Sequence, residues 1–152
     1  MRKSILAAAA AAAITAGLLL GPAALASSSG RSTTIHVTAH FVHASLEDTA
    51  PSGPSAGDRQ LVVGALTQGG SKVGRFGFEC DLLNGGQNAV EECSATGRLW
   101  GGSITLEGAS MLSSDTHRWA VVGGTGIYRD ATGQARIHDV NQSTSDVTIE
   151  LG

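Results

Sequence analysis

Residues 121–134 read Val-Val-Gly-Gly-Thr-Gly-Ile-Tyr-Arg-Asp-Ala-Thr-Gly-Gln, and no other stretch says more about how this chain is built. Trp119, Ala120, Val121 and Val122 lead in as an apolar run. Gly123, Gly124 and Gly126 then punctuate it, and Gln134-Ala135-Arg136-Ile137-His138-Asp139-Val140 alternates as a new strand. Glycine accepts positive φ and close backbone approach without steric penalty, so the stretch describes a fixed corner between two strands. A phosphate cradle is the competing reading. It needs Gly-x-Gly-x-x-Gly between a strand and a helix. Here Arg129 stands at the third glycine position, a strand follows, and the region has no lysine.

Working outward, the chain alternates with the period of two that marks half-buried strands. The expected strands are Ser32–Ser45, Arg59–Leu66, Lys72–Cys80, Ala89–Leu99, Ser103–Gly108, Arg118–Val122, Gln134–Val140 and Asp146–Leu151. Turn chemistry separates them: Pro51-Ser52-Gly53-Pro54, Gln68-Gly69-Gly70, Asn84-Gly85-Gly86, Gly101-Gly102, Ser113-Ser114-Asp115, the glycine corner, and 141–145. Helical periodicity is scarce. Eight antiparallel strands on short turns can close into a barrel that has no exposed edge. The expected fold is therefore all-β, a single eight-stranded antiparallel closed β-barrel, with a two-sheet sandwich as the alternative. A barrel of this size either fills with side chains or holds one small ligand.

The corner also carries a family resemblance. Gly123, Gly124, Gly126, Tyr128, Ala131 and Gly133 resemble the Gly-Gly-x-Gly-x-aromatic-x-x-Ala-x-Gly signature of the allene oxide cyclase and dirigent barrels. Gly101 to Gly108 resembles the preceding strand of both families. Ile127 and Gln134 look more like the cyclase version, and the charged residues of many dirigent proteins are replaced here by Ile127 and Thr132. Dirigent proteins often have a His-Asp pair near the end of the first strand; His43 matches the histidine, but Ala44 stands in place of the aspartate. The resemblance implies a barrel that fixes the shape of a reactive, mostly apolar molecule and directs its cyclisation or isomerisation. It also implies a homo-oligomer, a trimer. A non-catalytic ligand carrier, a dirigent-like stereochemical guide and a filled structural barrel are the alternatives.

The first residues have the form of an export signal, with Arg2 and Lys3, an Ala/Leu-rich core from Ile5 to Leu20, and the small-x-small site Ala24-Leu25-Ala26. The expected organisation is a secretion signal over 1–26 and one barrel domain over 27–152, hence a secreted protein with no membrane association after signal removal. The core is too short and alanine-rich for a good membrane span. The whole chain has a formal charge of −3, and losing Arg2 and Lys3 makes the remainder more acidic. That argues against nucleic acid, which wants a basic face. Cys80 and Cys93 flank the Asn84-Gly85-Gly86 turn almost symmetrically, so they face each other on a hairpin. In an exported chain such a pair is most simply a disulfide.

No Gly-x-Ser-x-Gly, His-Glu-x-x-His or calcium loop is present, and no metal or cofactor is expected. The pocket candidates are Phe41, His43, Phe76, Phe78, Trp119 and Tyr128. Phe76 and Phe78 share a strand face, as do Phe41 and His43, while Trp119 and Tyr128 flank the corner as packing groups or as an aromatic wall. His36 and His40 lie roughly 13 Å apart at strand rise and belong to a solvated exterior. Arg75, Glu79 and Glu107 also read as exterior, and His138, Asp139 and Asp146 as an ordinary solvated turn. The 46–58 loop is either a plain connection or a flap over a barrel mouth.

Overall fold

The computed structural model describes residues 32–49 and 51–152. The expected export signal over 1–26 lies outside them. The elements in chain order are β1 (Thr33–Glu47), β2 (Arg59–Gln68), β3 (Ser71–Leu82), β4 (Val90–Leu99), β5 (Gly102–Met111), β6 (Thr116–Gly124), a short 3-10 turn (Gly126–Tyr128), β7 (Gly133–Asn141) and β8 (Thr144–Leu151). Each strand pairs with the next in antiparallel register, and β8 returns to β1, closing the barrel. All eight expected strands are present. Most run a residue or more beyond their expected ends, because hairpin pairing extends each ladder into the turn.

Alternation assigns the faces. Inward side chains include Val37 and Ala39 of β1, Val62 and Leu66 of β2, Ile104 and Leu106 of β5, Trp119 and Val121 of β6, and Ile149 of β8, all buried. Outward positions carry the charges and hydroxyls. His36 meets Thr148 and His40 meets Thr67 across neighbouring strands on the exposed face. Arg59 bridges Glu79 and Asp81 outside.

One break in the alternation has consequences. On β1, Phe41 pairs with Gly64 but His43 pairs with Val63, so Val42 is an extra residue in a bulge. A bulge re-aims the side chains beyond it. His43 therefore leaves the face of Phe41 and points outward, beside Leu61, Val63 and Glu79.

Cys80 and Cys93 are directly opposite each other on β3 and β4 and form the expected disulfide, with Cα atoms 4.1 Å apart. The 46–58 loop docks on the adjoining hairpin. Gly57 N donates to Leu82 O at 2.9 Å, and Leu82 N to Asp58 O at 2.8 Å. The Asp58 side chain is 2 % exposed and accepts from Thr49 N (2.8 Å), Thr49 Oγ1 (2.9 Å), Ser55 N (2.9 Å) and Ser55 Oγ (3.0 Å). These donors hold its carboxyl below the usual carboxylate range, the backbone N–H groups of Ser55 and Thr49 contributing most.

The glycine corner lies at the opposite end of the barrel from Asp58. Gly126 has φ 63°, and a Cβ there would collide with the Gly101 carbonyl. Ile127 N donates to that same Gly101 oxygen at 3.0 Å, and Thr125 N to Ser103 O at 2.8 Å. The corner thus folds back onto the start of β5.

Candidate active site in the barrel cavity

The barrel encloses a cavity of about 370 Å³ along its axis. One wall is aromatic. Phe41, Phe76 and Phe78 form a triangle with ring centroids 5.8–6.3 Å apart, and the Phe76 and Phe78 rings are stacked. Gly64 makes room for it, since a Cβ there would run into the Phe76 ring. Leu66, Leu99, Ile104, Leu106, Val147 and Ile149 line the rest of the apolar surface.

Polar groups collect at one end. They come from the start of β4 (Glu91), the end of β5 (Ser110), the start of β6 (His117), the end of β7 (Asp139) and the start of β8 (Ser145). These strand ends are adjacent because consecutive antiparallel strands reverse direction. Four of the five are tied together in pairs or a short chain. Trp119 Nε1 donates to Ser110 Oγ at 2.9 Å. Ser145 Oγ donates to Asp139 Oδ1 at 2.7 Å, and His117 Nε2 lies 3.2 Å from Asp139 Oδ2. The His117 side chain is 9 % exposed and that of Asp139 43 %, so the pair spans from interior to mouth.

Glu91 is different. It is 8 % exposed, and its Oε2 is buried with no hydrogen-bond partner among the described residues. Burial pushes its carboxyl above the usual range; nearby His117 pulls it down and Asp139 pushes it up. Its carboxylate lies within 4.8 Å of the Cys80 and Cys93 sulfurs, but those sulfurs are bonded to each other and offer no thiolate to a metal.

Of the pocket candidates read from the sequence, Phe41, Phe76, Phe78 and Trp119 line the cavity together. His43 does not, because of the β1 bulge. Tyr128 does not line it either: the 3-10 turn carries it to the far end, where it packs against the apolar core. Asp139, read from sequence as a solvated turn residue, faces the cavity mouth. Glu91, His117, Ser110 and Ser145 did not stand out in the sequence at all. The signal was nevertheless there. Each sits two residues from an inward-facing neighbour: Glu91 from Cys93, His117 from Trp119, Ser110 from Gly108, and Ser145 from Val147. Period-two alternation places such pairs on one face.

The profile of the Dirigent-like protein family matches residues 91–152. Among solved structures, similarity extends over the whole barrel. Pyocyanin demethylase aligns with a TM-score of 0.75 and 22% identity, over 79% of this chain and 100% of that one. The pterocarpan synthase dirigent protein PsPTS1 aligns at 0.67 and 17% identity, over 80% and 95%. AbnU, an exo-specific intermolecular Diels-Alderase, aligns at 0.67 and 14% identity, over 80% and 98%. The barrel has the fold of these proteins, and its second half resembles the Dirigent-like family. At these identities the likeness to the solved structures is one of fold. No curated protein matches the sequence. The matched stretch begins at Glu91 and contains Glu91, Ser110, His117, Asp139, Ser145 and the glycine corner, whereas Gln60 and the phenylalanine wall on β1 and β3 lie outside it.

Proposed function

We propose that this barrel is exported, binds a small, largely apolar molecule in its cavity, and directs that molecule's cyclisation or isomerisation by holding it in one shape. The observation that carries this reading is the axial cavity itself, apolar along its length and polar at one end. A filled interior would have left no room for a guest. Rigid walls that select a near-attack conformer can supply a large share of a unimolecular barrier reduction without an elaborate catalytic group. The resident groups suit that role: four aromatic side chains define shape, and the polar end gives the guest one orientation. The solved neighbours that are called a Diels-Alderase and a dirigent protein support the reading as members of the same fold. The disulfide is compatible with an oxidising, extracellular setting.

Native mass spectrometry of the protein purified from its own host tests the binding half. A co-purified small molecule, released by denaturation, is the expected result; a consistently empty protein counts against the reading. Incubation of that molecule's acyclic or unrearranged precursor with protein, followed by chiral chromatography, tests the second half. A product ratio that protein leaves unchanged reduces the barrel to a carrier.

A further inference from the structure

We propose that the polar end is a recognition subsite for a hydrogen-bond donor, so that the guest carries a hydroxyl or N–H head group on its apolar body and presents it to Glu91. This rests on the reading of the barrel as a ligand cavity and specifies the class of ligand it takes.

Several polar atoms at this end of the cavity are already committed. Both Asp139 oxygens are engaged, by Ser145 and His117. Ser145 spends its proton on Asp139, and Ser110 already accepts from Trp119. Gln60 and Gln142 also line the cavity, but Glu91 differs from them: its side chain is more than nine-tenths buried, and it has a buried oxygen with no partner among the described residues. A buried polar atom without a partner costs free energy that a ligand donor recovers on binding. A carboxyl oxygen accepts a hydrogen bond whether the group is neutral or ionised, so a donor head fits either state. An anionic head is disfavoured, because it would meet the Asp139 carboxyl, and Glu91 as well wherever that group is ionised, against a single imidazole, His117. The phenylalanine triangle gives the body of the guest a flat apolar surface.

Three probes of one ring system separate head from body: 2-naphthalenemethanol, 2-methylnaphthalene and 2-naphthoate, titrated at pH 7 with tryptophan fluorescence as readout. Trp119 reports from the cavity wall, and the exposed Trp100 is replaced by phenylalanine to remove background. The alcohol is expected to bind about tenfold more tightly than the hydrocarbon, the effect of one good hydrogen bond to a buried acceptor. The naphthoate is expected to bind more weakly than the hydrocarbon. Glu91→Leu should erase the alcohol's advantage while keeping hydrocarbon binding. If that variant fails to fold, Glu91→Gln serves instead: it retains an acceptor, so the alcohol's preference should persist while rejection of the naphthoate relaxes. Equal affinity for alcohol and hydrocarbon in the wild type overturns the donor subsite but leaves the cavity reading standing. Failure of all three to bind overturns both.

Discussion

Two buried carboxyl groups in this barrel have opposite surroundings. Asp58, in the loop between β1 and β2, receives four hydrogen bonds from Thr49 and Ser55 and is held below its usual pKa. Glu91, on the cavity wall at the start of β4, has an oxygen with no partner and is pushed above its usual pKa, mainly by burial. The first carboxyl completes a local structure: it organises a long loop and docks it on the end of β3. The second ties no other element in place among the described residues. A buried polar group that the fold leaves unsatisfied lowers stability, and in the proposed function the guest's head group supplies the missing partner.

The largest expected effect comes from the brace beside Glu91. Replacing both Cys80 and Cys93 with serine should cost about 3 kcal/mol in the chain-entropy account, read as a lowered urea midpoint. A second test compares the carboxyls directly. Asp58→Ala should lower the urea midpoint, because it strands four donors around a buried site. Glu91→Gln should leave the midpoint unchanged or raise it at pH 7, since it removes the burial of an ionisable group. Equal losses in the two variants would break the contrast.

Titration sharpens the same contrast, because the two groups act in different pH windows. The ordinary value for Asp58 is 3.8 and its folded value is lower, so its contribution is fully present above 3.8 and is lost as pH falls through the folded value. For Glu91 the ordinary value is 4.5 and the folded value is higher. Between those two values the unfolded chain has released a proton that the folded chain retains, so stability falls as pH rises across that window. Comparing urea midpoints of the wild type and Glu91→Gln from about pH 4 upward should show the variant gaining on the wild type above 4.5. Parallel curves would mean that Glu91 is not held protonated by the fold. The smallest effect is expected at His43. His43→Ala should change stability by no more than about 0.5 kcal/mol, as for an ordinary surface site, and should not alter probe binding in the cavity. A loss of probe affinity would return His43 to the pocket and contradict the outward bulge.

Much of this could be read in the chain before its structure. The glycines of 121–134 marked the corner, the alternation gave all eight strands, and the midpoint turn between Cys80 and Cys93 gave the disulfide. Phe41, Phe76, Phe78 and Trp119 were legible as cavity residues because large apolar side chains on one face of a strand must be covered. His43 was misplaced because alternation assumes an unbroken ladder, and the single extra residue Val42 reverses every side chain beyond it. Tyr128 was misplaced because proximity in sequence to Trp119 does not survive the corner, which sends the two to different parts of the barrel.

By itself, then, the sequence determined the local geometry: strand, turn, corner and cross-strand bridge, each set by interactions within a hairpin or less. Tertiary structure alone decided which polar residues meet. Glu91, His117, Asp139 and Ser145 stand on four different strands, and each by itself is an ordinary polar residue near a strand end. Closure of β8 onto β1, together with the register of every hairpin, brings those ends around one mouth. It also leaves one carboxyl of the group without a partner, and no local pattern encodes that, because satisfaction of a buried atom depends on every strand that faces it.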